Sequence, residues 1–238
     1  MQHILVTGAN RGLGLEFTRQ YLDRGDRVFA TCREPQRAES LQLLLSQFPE
    51  RMSVHRMDVA DPGSIQAAHA AISRETTQLD VILNNAGVYS SRGSLSPAES
   101  LGALHADDAI LVLRTNAIWP ILVAQQYLDL LSASGRGRIV NMTSGYGSIS
   151  NNTSGYPYYY SASKAALNQL TRCLAADVRK RKIVAVVLDP GWVATDMGGK
   201  SAPLSPREAV ASLIDVIEGL TMRENGQFLN RLGEKEAW

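Results

Sequence analysis

The chain has 238 residues, of which 45% are hydrophobic, and this size favours one domain over residues 1–238. Its 24 basic and 23 acidic residues give a formal net charge of +1, and no apolar stretch approaches the ~18 residues of a membrane span, so neither nucleic acid nor a membrane is an expected partner. Two cysteines without CxxC spacing argue against a disulfide framework, and four isolated histidines do not have the spacing of metal ligands, so no metal is expected.

Short apolar runs rich in β-branched residues alternate with helical patterns along the chain. The runs lie at residues 4–7, 27–31, 52–57, 81–83, 138–142, 183–188 and 227–229, and the helical patterns at about residues 13–24, 36–47, 62–75, 106–131, 158–181 and 206–220. Because the runs are continuously apolar, they are typical of strands that are covered on both faces. The alternation predicts an α/β fold with a doubly wound, Rossmann-like parallel sheet and helices on both of its faces.

Three polar segments follow predicted strands, at residues 90–100, 144–157 and 198–206. In a parallel α/β sheet, the loops that leave the carboxyl ends of the strands line the ligand crevice. We therefore expect the first two segments to flank a site and the third to be a mobile lid. Ordinary surface connectors are the alternative for each segment.

A glycine-rich turn, residues 8–14, lies directly between the first predicted strand and the first predicted helix. Gly8, Gly12 and Gly14 lack side chains, so the backbone can approach a pyrophosphate, and the helix N-terminus supplies N–H donors. The spacing is GxxxGxG, one residue longer than the usual dinucleotide fingerprint. The turn predicts a dinucleotide site; a glycine-rich turn without a ligand is the alternative.

Two arginines indicate which dinucleotide is bound. The second strand ends at Ala30-Thr31-Cys32-Arg33, where an NAD-specific domain usually carries an acid for the ribose hydroxyls. Arg33, together with Arg11 inside the glycine turn, favours binding of a 2′-phosphate and hence of NADP(H). Solvated arginines are the alternative. Asp58, after the third strand, is a candidate acceptor for the adenine amino group or an acid at a helix N-terminus.

Tyr160 and Lys164 are four residues apart in the predicted helix 158–181 and therefore share one face. A nearby ammonium lowers a phenol pKa by about 1 to 3 units from its usual value near ~10, which would let Tyr160 act as an acid or base at physiological pH. An exposed tyrosine beside a lysine is the structural alternative for this spacing alone.

Further motifs follow the glycine turn in a fixed order. They are Asn84-Asn85-Ala86-Gly87 after the fourth strand, Asn116, Ser144, Tyr160, Lys164 and Pro190-Gly191. With these motifs, the chain resembles the short-chain dehydrogenases/reductases over nearly its whole length. Residues 10–15, 140–145 and 190–197, together with Trp238, are similar to the sniffer and C-factor branch, whose relatives are carbonyl reductases. The resemblance implies a single domain with a seven-stranded doubly wound sheet of strand order 3-2-1-4-5-6-7.

The resemblance also implies the catalytic roles. Tyr160 would donate or accept the substrate proton, and Ser144 would polarise the carbonyl group. Lys164 would hold the nicotinamide ribose and tune Tyr160. Asn116 would bind a water through its backbone and continue a proton relay from Lys164, or it is only a polar cap.

The same resemblance implies the cofactor contacts. Asn85 to Gly87 would shape the sheet beneath the adenosine ribose, while Val193 and Thr195 would contact the nicotinamide carboxamide and the pyrophosphate. The full set expected to bind NADP(H) is Gly8, Asn10, Arg11, Gly12, Leu13, Gly14, Arg33, Asp58, Val59, Asn85, Ala86, Gly87, Tyr160, Lys164, Pro190, Gly191, Val193 and Thr195.

Two assignments stay open in the sequence. The interval between Ser144 and Tyr160 is longer than is usual in the family, so Ser148 is an alternative to Ser144. Tyr158 and Tyr159 adjoin Tyr160, and only the spacing to Lys164 selects among the three tyrosines.

The predicted function is reduction of a ketone, aldehyde or quinone to an alcohol with NADP(H), with Tyr160 as the acid or base. An NADP-binding redox-sensing or signalling protein with little turnover is the alternative. A hydrolase that uses Ser144 as nucleophile would need a G-x-S-x-G elbow, which the sequence lacks. We expect a cytoplasmic homodimer or homotetramer that takes a small-molecule carbonyl or alcohol substrate.

Overall fold

The computed structural model describes residues 1–90 and 101–238. Of the polar segment 90–100, which the sequence predicts to flank the site, residues 91–100 therefore lie outside the described part of the chain.

The core of the protein is one parallel sheet of seven strands. The strands are β1 (His3–Thr7), β2 (Arg27–Cys32), β3 (Met52–Arg56), β4 (Val81–Asn84), β5 (Arg138–Met142), β6 (Val184–Asp189) and β7 (Phe228–Asn230). Their order is β3-β2-β1-β4-β5-β6-β7, and all six neighbouring pairs are parallel. The strand order switches direction between β1 and β4, which is the place where such sheets bind ligands. The predicted fold is confirmed, with strand ends within about two residues of the predicted ones.

Helices cover both faces of the sheet. They are α1 (Gly12–Asp23), α2 (Glu39–Gln47), α3 (Pro62–Ile72), α4 (Ala106–Leu113), α5 (Trp119–Gln126), α6 (Leu128–Ser134), α7 (Tyr158–Val178) and α8 (Pro206–Gly219). Side chains of β1 alternate between two hydrophobic layers: Ile4 and Val6 pack with α1, α2 and α8, whereas Leu5 packs with α3, α5, α6 and α7. The continuously apolar strands are thus explained, because both of their faces are buried.

The single helix predicted over residues 106–131 is wrong, since the chain forms α4, a π-helical turn, α5 and α6 in this region. The π-helical turn covers Arg114–Ile118, and Pro120 follows it inside the first turn of α5. Proline has no N–H, so the carbonyl of Asn116, four residues earlier, loses the hydrogen bond that a regular α-helix would give it. The helical hydrogen bonds therefore change to the wider π pattern, in which the Trp119 N–H donates to the Arg114 carbonyl.

Buried polar side chains attach α7 to the sheet. Asn84 at the end of β4 donates through Nδ2 to Asn141 Oδ1 on β5 at 2.8 Å. Asn141 in turn donates through Nδ2 to Thr171 Oγ1 on α7 at 2.8 Å. Because all three side chains are buried, this chain of hydrogen bonds fixes the position of α7 relative to the strand ends.

Among the described residues, no helix combines the length and the apolar character that a membrane span requires. The described residues also bring together no group of three His, Cys, Asp or Glu side chains able to hold a metal ion.

Gly14 allows the close packing of the glycine turn, and its replacement tests that packing. A Cβ at Gly14 would lie 2.2 Å from the Gly8 carbonyl oxygen and 2.6 Å from Asn85 Nδ2. We expect Gly14→Ala to lower the free energy of unfolding by about 1–3 kcal/mol, because backbone atoms have to move. Gly219→Ala in α8 is the control: its Cβ would meet nothing within 4 Å, so stability should be unchanged or higher by up to about 1 kcal/mol. Urea unfolding of both variants makes the comparison, and equal stabilities would contradict the packing argument.

Candidate active site

The candidate site lies at the carboxyl ends of the central strands. The glycine turn follows β1, residues 85–88 follow β4, Ser144 follows β5, and Pro190-Gly191 follow β6. Tyr160 and Lys164 lie in the first two turns of α7. The sheet topology therefore gathers the sequence-predicted residues at one edge, where ligands bind in folds of this type.

The glycine turn is held in place by the end of β4. Asn85 donates through Nδ2 to the carbonyl oxygens of Thr7 at 3.0 Å and Gly8 at 3.2 Å. Gly8 has a φ of +66°, and a Cβ on it would lie 3.0 Å from Ala86 Cα. The backbone thus passes close to β4 in a conformation that favours glycine.

The N-terminus of α1 faces the crevice with its N–H groups available. Arg11 is the N-cap residue, and no described side chain caps this end of the helix. Gly12, the first helical residue, has a φ of +55°. Asn10 is exposed, whereas the Leu13 side chain packs against the core, so Leu13 offers only its backbone to a ligand. Uncapped N–H groups and the positive end of the helix dipole together suit a phosphate group.

Arg11 and Arg33 come from neighbouring strand ends. The Ala9 N–H in the glycine turn donates to the Thr31 carbonyl at 2.9 Å, which holds the turn beside the end of β2. Arg33 is exposed and forms no ion pair with a described residue. Arg11 is also exposed, but its guanidinium pairs with Asp196 at 3.1 Å.

The segment after β3 lies farther along the same edge. One carboxylate oxygen of Asp58 accepts the N–H of Ala60 at 3.0 Å, so part of its hydrogen-bonding capacity is used within the turn. Val59 is half-buried and packs against the hydrophobic layer that contains α3.

Tyr160 is the buried centre of the site. Its hydroxyl lies beside the Ser144 side chain. Its ring lies 4.9 Å from the ring of Tyr89 and 6.2 Å from that of Tyr146, measured between centroids. Burial raises the pKa of Tyr160, although the neighbouring Ser144 hydroxyl acts in the opposite direction.

Lys164 lies one helical turn farther along α7 and is also buried. Its Nζ donates to the Met142 carbonyl at 2.8 Å and lies 5.5 Å from the centroid of the Tyr160 ring. Burial lowers the pKa of Lys164 to about 8. Burial favours the neutral form of both side chains, and the expected effect of Lys164 on the pKa of Tyr160 stays a prediction.

Asn116 lies in the π-helical turn with its side chain fully engaged. Its Oδ1 accepts the Val88 N–H at 2.8 Å, and its Nδ2 donates to the Val88 carbonyl at 2.7 Å and to Ser163 Oγ at 3.0 Å. Ser163 donates to the Tyr160 carbonyl at 2.7 Å. The Asn116 side chain thus ties the chain after β4 to α7, which leaves its backbone for any contact with water.

The structure separates the alternatives that the sequence left open. Both serines accept a backbone N–H, Ser148 from Asn151 at 3.2 Å and Ser144 from Tyr146 at 3.3 Å, but only Ser144 also lies beside the Tyr160 hydroxyl. Tyr158 is exposed and Tyr159 is half-buried. Only Tyr160 combines burial with the serine contact and the neighbouring lysine.

The loop after β6 reaches back to the glycine turn. Gly191 has a φ of +76° directly after Pro190, and Val193 is buried and forms a β-bridge with Leu204. A Cβ at Gly12 would lie 3.6 Å from Thr195 Cγ2. Residues 198–206, which the sequence predicts to be a mobile lid, include the Gly198 carbonyl, which accepts the Trp192 Nε1–H at 2.7 Å.

Sequence reasoning missed two residues that contact the predicted ones. Ser163 links Asn116 to α7, and its only sequence signal is its place between Tyr160 and Lys164. Asp189 precedes Pro190-Gly191, and its Oδ1 accepts the Gly191 N–H at 3.0 Å. The sequence signal that could have revealed Asp189 is its acidic side chain at the end of a buried strand.

Known proteins share this sequence and architecture. Residues 2–204 match the family model described as short chain dehydrogenase. The C-signal protein of Myxococcus xanthus is 36% identical over 163 residues, which cover 68% of this chain and 95% of that protein.

Solved structures agree over the full length. The carbonyl reductase Sniffer of D. melanogaster is 34% identical with a TM-score of 0.94, and the alignment covers 100% of both chains. The NADPH-bound carbonyl reductase from chicken fatty liver is 36% identical with a TM-score of 0.91, covering 100% of this chain and 99% of that one. A short-chain dehydrogenase/reductase from Burkholderia multivorans with bound NADP is 33% identical with a TM-score of 0.89, again covering 100% of this chain and 99% of that one.

The predicted likeness to the sniffer, C-factor and carbonyl reductase branch is confirmed by these similarities. Because the family model spans most of the chain and structures of the family superpose over all of it, the chain belongs to the short-chain dehydrogenase/reductase family of oxidoreductases.

Proposed function

We propose that the protein is an NADP(H)-dependent reductase that converts a ketone, an aldehyde or a quinone to the corresponding alcohol. The observation that carries this proposal is the buried Tyr160, whose hydroxyl lies beside Ser144 and which is followed one turn later by the buried Lys164. These three groups lie at the same end of the sheet as the glycine turn.

The crevice suits a dinucleotide. Gly8 and Gly12 leave the space and the backbone conformation for a pyrophosphate, and the uncapped N-terminus of α1 supplies donors. Asn85 to Gly87 and Asp58-Val59 line the adenosine side, while Pro190, Gly191, Val193 and Thr195 line the opposite rim. Arg33 and Arg11 favour the 2′-phosphate of NADP(H), which agrees with the NADPH and NADP bound to two of the similar structures.

Each polar residue of the site has a chemical task in this proposal. A bound nicotinamide supplies the hydride that reduces the carbonyl carbon. Tyr160 gives its proton to the carbonyl oxygen, and its raised pKa keeps the hydroxyl protonated at neutral pH. Ser144 donates a hydrogen bond to the same oxygen as negative charge develops there. Lys164 would return a proton to Tyr160 after each turnover and regain one from a water held by the Asn116 backbone.

A signalling role has a separate support, the likeness to C-signal. The complete set of Ser144, Tyr160 and Lys164 favours catalysis, because a sensor of the redox state needs only the dinucleotide crevice. Turnover measured with NADPH and simple carbonyl compounds distinguishes the two roles.

Assembly into a homodimer or homotetramer in the cytoplasm is also part of the proposal. Ile110, Leu111 and Ile118 expose 52%, 42% and 45% of their surface on α4 and the π-helical turn. Such neighbouring apolar side chains are typical of a surface that a second subunit covers. Sedimentation equilibrium measures the number of subunits.

Tyr160→Phe should reduce turnover by about 10²- to 10⁴-fold, because it removes the proton donor and keeps the ring. NADPH binding, measured by fluorescence titration, should change little. Tyr158→Phe is the matched control, since Tyr158 is exposed and adjacent. Turnover of Tyr160→Phe equal to that of the control would reject the acid role.

Ser144→Ala should lower kcat by about 10²- to 10³-fold, the loss typical of one donor to a developing oxyanion. Ser148→Ala removes a hydroxyl of the same loop that bonds to the Asn151 N–H instead. Steady-state kinetics of both variants decides between the serines, and a larger loss in Ser148→Ala would show that the donor is misplaced.

Arg33→Ala should weaken NADPH binding by about 10- to 150-fold, because a hydrogen bond to a charged group contributes about 1.5–3 kcal/mol. NADH lacks the phosphate, so its affinity should stay the same. Calorimetric titration of both cofactors at one salt concentration measures the effect, since ions screen the pairing. Arg24→Ala, at the far end of α1, is the control and should leave both affinities unchanged. A wild-type protein that binds NADH as tightly as NADPH would contradict the NADP(H) assignment.

A further inference from the structure

Asn168 lies on the face of α7 that also carries Tyr160 and Lys164. The three residues are four positions apart, so their side chains project from successive turns of the helix. Asn168 is buried, with 2% of its surface exposed, and the proposed chemistry gives it no task. Its amide contacts the end of β5 and the turn that follows this strand.

The Asn168 amide bonds to the chain on both sides of Ser144. Its Oδ1 accepts the Thr143 hydroxyl at 2.7 Å, and its Nδ2 donates to the Gly147 carbonyl at 3.2 Å. Thr143 directly precedes Ser144, and Gly147 lies at the end of the turn after it. One side chain of α7 therefore holds the segment that carries Ser144 at two points.

The turn after Ser144 packs directly on α7. A Cβ on Gly147 would lie 2.9 Å from Asn168 Nδ2, 3.0 Å from Thr143 Oγ1 and 3.1 Å from the Lys164 carbonyl carbon. The Gly147 N–H donates to the Ser144 carbonyl at 2.8 Å, which closes the turn on Ser144 itself. A shift of Gly147 away from the helix would therefore move Ser144 with it.

We propose that Asn168 is a positioning residue of this enzyme: it fixes the Ser144 hydroxyl relative to Tyr160, because the helix that carries Tyr160 also holds the segment of Ser144. This inference rests on the proposed function, in which Ser144 and Tyr160 act on the same carbonyl oxygen. A reacting group that is displaced by about 1 Å can lose about 10²-fold in rate, so two hydrogen bonds on either side of the donor matter for turnover.

A double-mutant cycle tests whether Asn168 acts through Ser144. Asn168→Ala should lower kcat by about 10- to 100-fold and should leave the dissociation constant of NADPH within about threefold of the wild-type value. In the Ser144→Ala background, the same substitution should cost less than about threefold in kcat, because the group that it positions is already absent. Equal losses in both backgrounds would overturn the proposal.

Asn225→Ala is the matched control. Asn225 also joins α7 to the sheet, since its Nδ2 donates to the Ala175 carbonyl at 2.9 Å and its Oδ1 accepts the Ala185 N–H at 2.9 Å. Ala185 lies near the start of β6, whereas Ser144 follows the end of β5. Loss of the Asn225 amide should lower the stability of the protein and leave kcat unchanged. A fall in kcat as large as that of Asn168→Ala would show that both losses reflect destabilisation alone.

Variants at Thr143 test the same contact without a change at Asn168, and they decide the question if Asn168→Ala does not fold. Thr143→Val removes the hydroxyl that bonds to Asn168 Oδ1, so kcat should fall by about 2- to 12-fold, the effect of one neutral hydrogen bond. Thr143→Ser keeps a hydroxyl and should restore most of this loss. If Thr143→Ser loses as much as Thr143→Val, the hydrogen bond to Asn168 does not position Ser144.

Amide hydrogen exchange tests the attachment without any assay of turnover. The N–H groups of Gly147 and Ser148 donate to the carbonyls of Ser144 and Gly145. In Asn168→Ala both should exchange at least about 10-fold faster than in the wild-type protein, while in Asn225→Ala their rates should stay the same. Unchanged exchange in Asn168→Ala would overturn the proposal. Absence of NADPH-dependent reduction in the wild-type protein would overturn the proposed function, while the exchange rates would still decide the attachment.

Discussion

The attachment of α7 to the sheet is the constraint on which the candidate site depends. Tyr160 and Lys164 lie on this helix, and the buried contacts from Asn84 through Asn141 to Thr171 hold it against the ends of β4 and β5. These are neutral hydrogen bonds between buried side chains, so a break in one of them would leave a buried polar group unpaired. Tyr160 and Lys164 therefore owe their position to two amides and a hydroxyl that lie outside the proposed chemistry.

Burial also decides the charge state of the site. Tyr160 and Lys164 are withdrawn from solvent together, and desolvation favours the neutral phenol and the neutral amine. A phenol that keeps its proton at neutral pH is suited to donate it in the reducing direction. Because the pKa of Lys164 is about 8, a charged group that binds nearby can change its protonation. The charge of the Tyr160–Lys164 pair therefore depends on what the crevice binds.

The sequence predicts the sheet well because the apolar runs and the glycine turn are both local features of the chain. Continuous apolar runs mark strands that are buried on both faces, and the glycine turn between β1 and α1 is unambiguous once a strand and a helix flank it. The sequence does not predict the break of the helix at residues 114–118, because a periodic apolar pattern continues through Pro120. Only the missing N–H of this proline marks where the α-helical hydrogen bonds change to the π-helical pattern. The contacts of Asn116 with Val88 and Ser163 join segments that meet only in space, so no spacing in the chain could have revealed them.

The chemistry of Tyr160 illustrates a similar limit. The spacing to Lys164 correctly places both side chains on one face of α7, yet the direction of the phenol pKa depends on burial, which the spacing does not contain. Motif order predicts which residues form the site, whereas the direction of their pKa shifts follows from packing.

A weak, exposed ion pair between Arg11 and Asp196 connects the glycine turn to the loop after β6. Thr195 lies beside Gly12 next to this ion pair, so the loop after β6 and the glycine turn meet above the place where a pyrophosphate fits. A long ligand must therefore pass beneath this ion pair or bind after the pair has separated. Both partners of the pair are exposed, and such pairs contribute at most about 1 kcal/mol and weaken in salt. This ion pair can therefore break at little cost in stability, and its loss would leave the buried Tyr160 and Lys164 undisturbed.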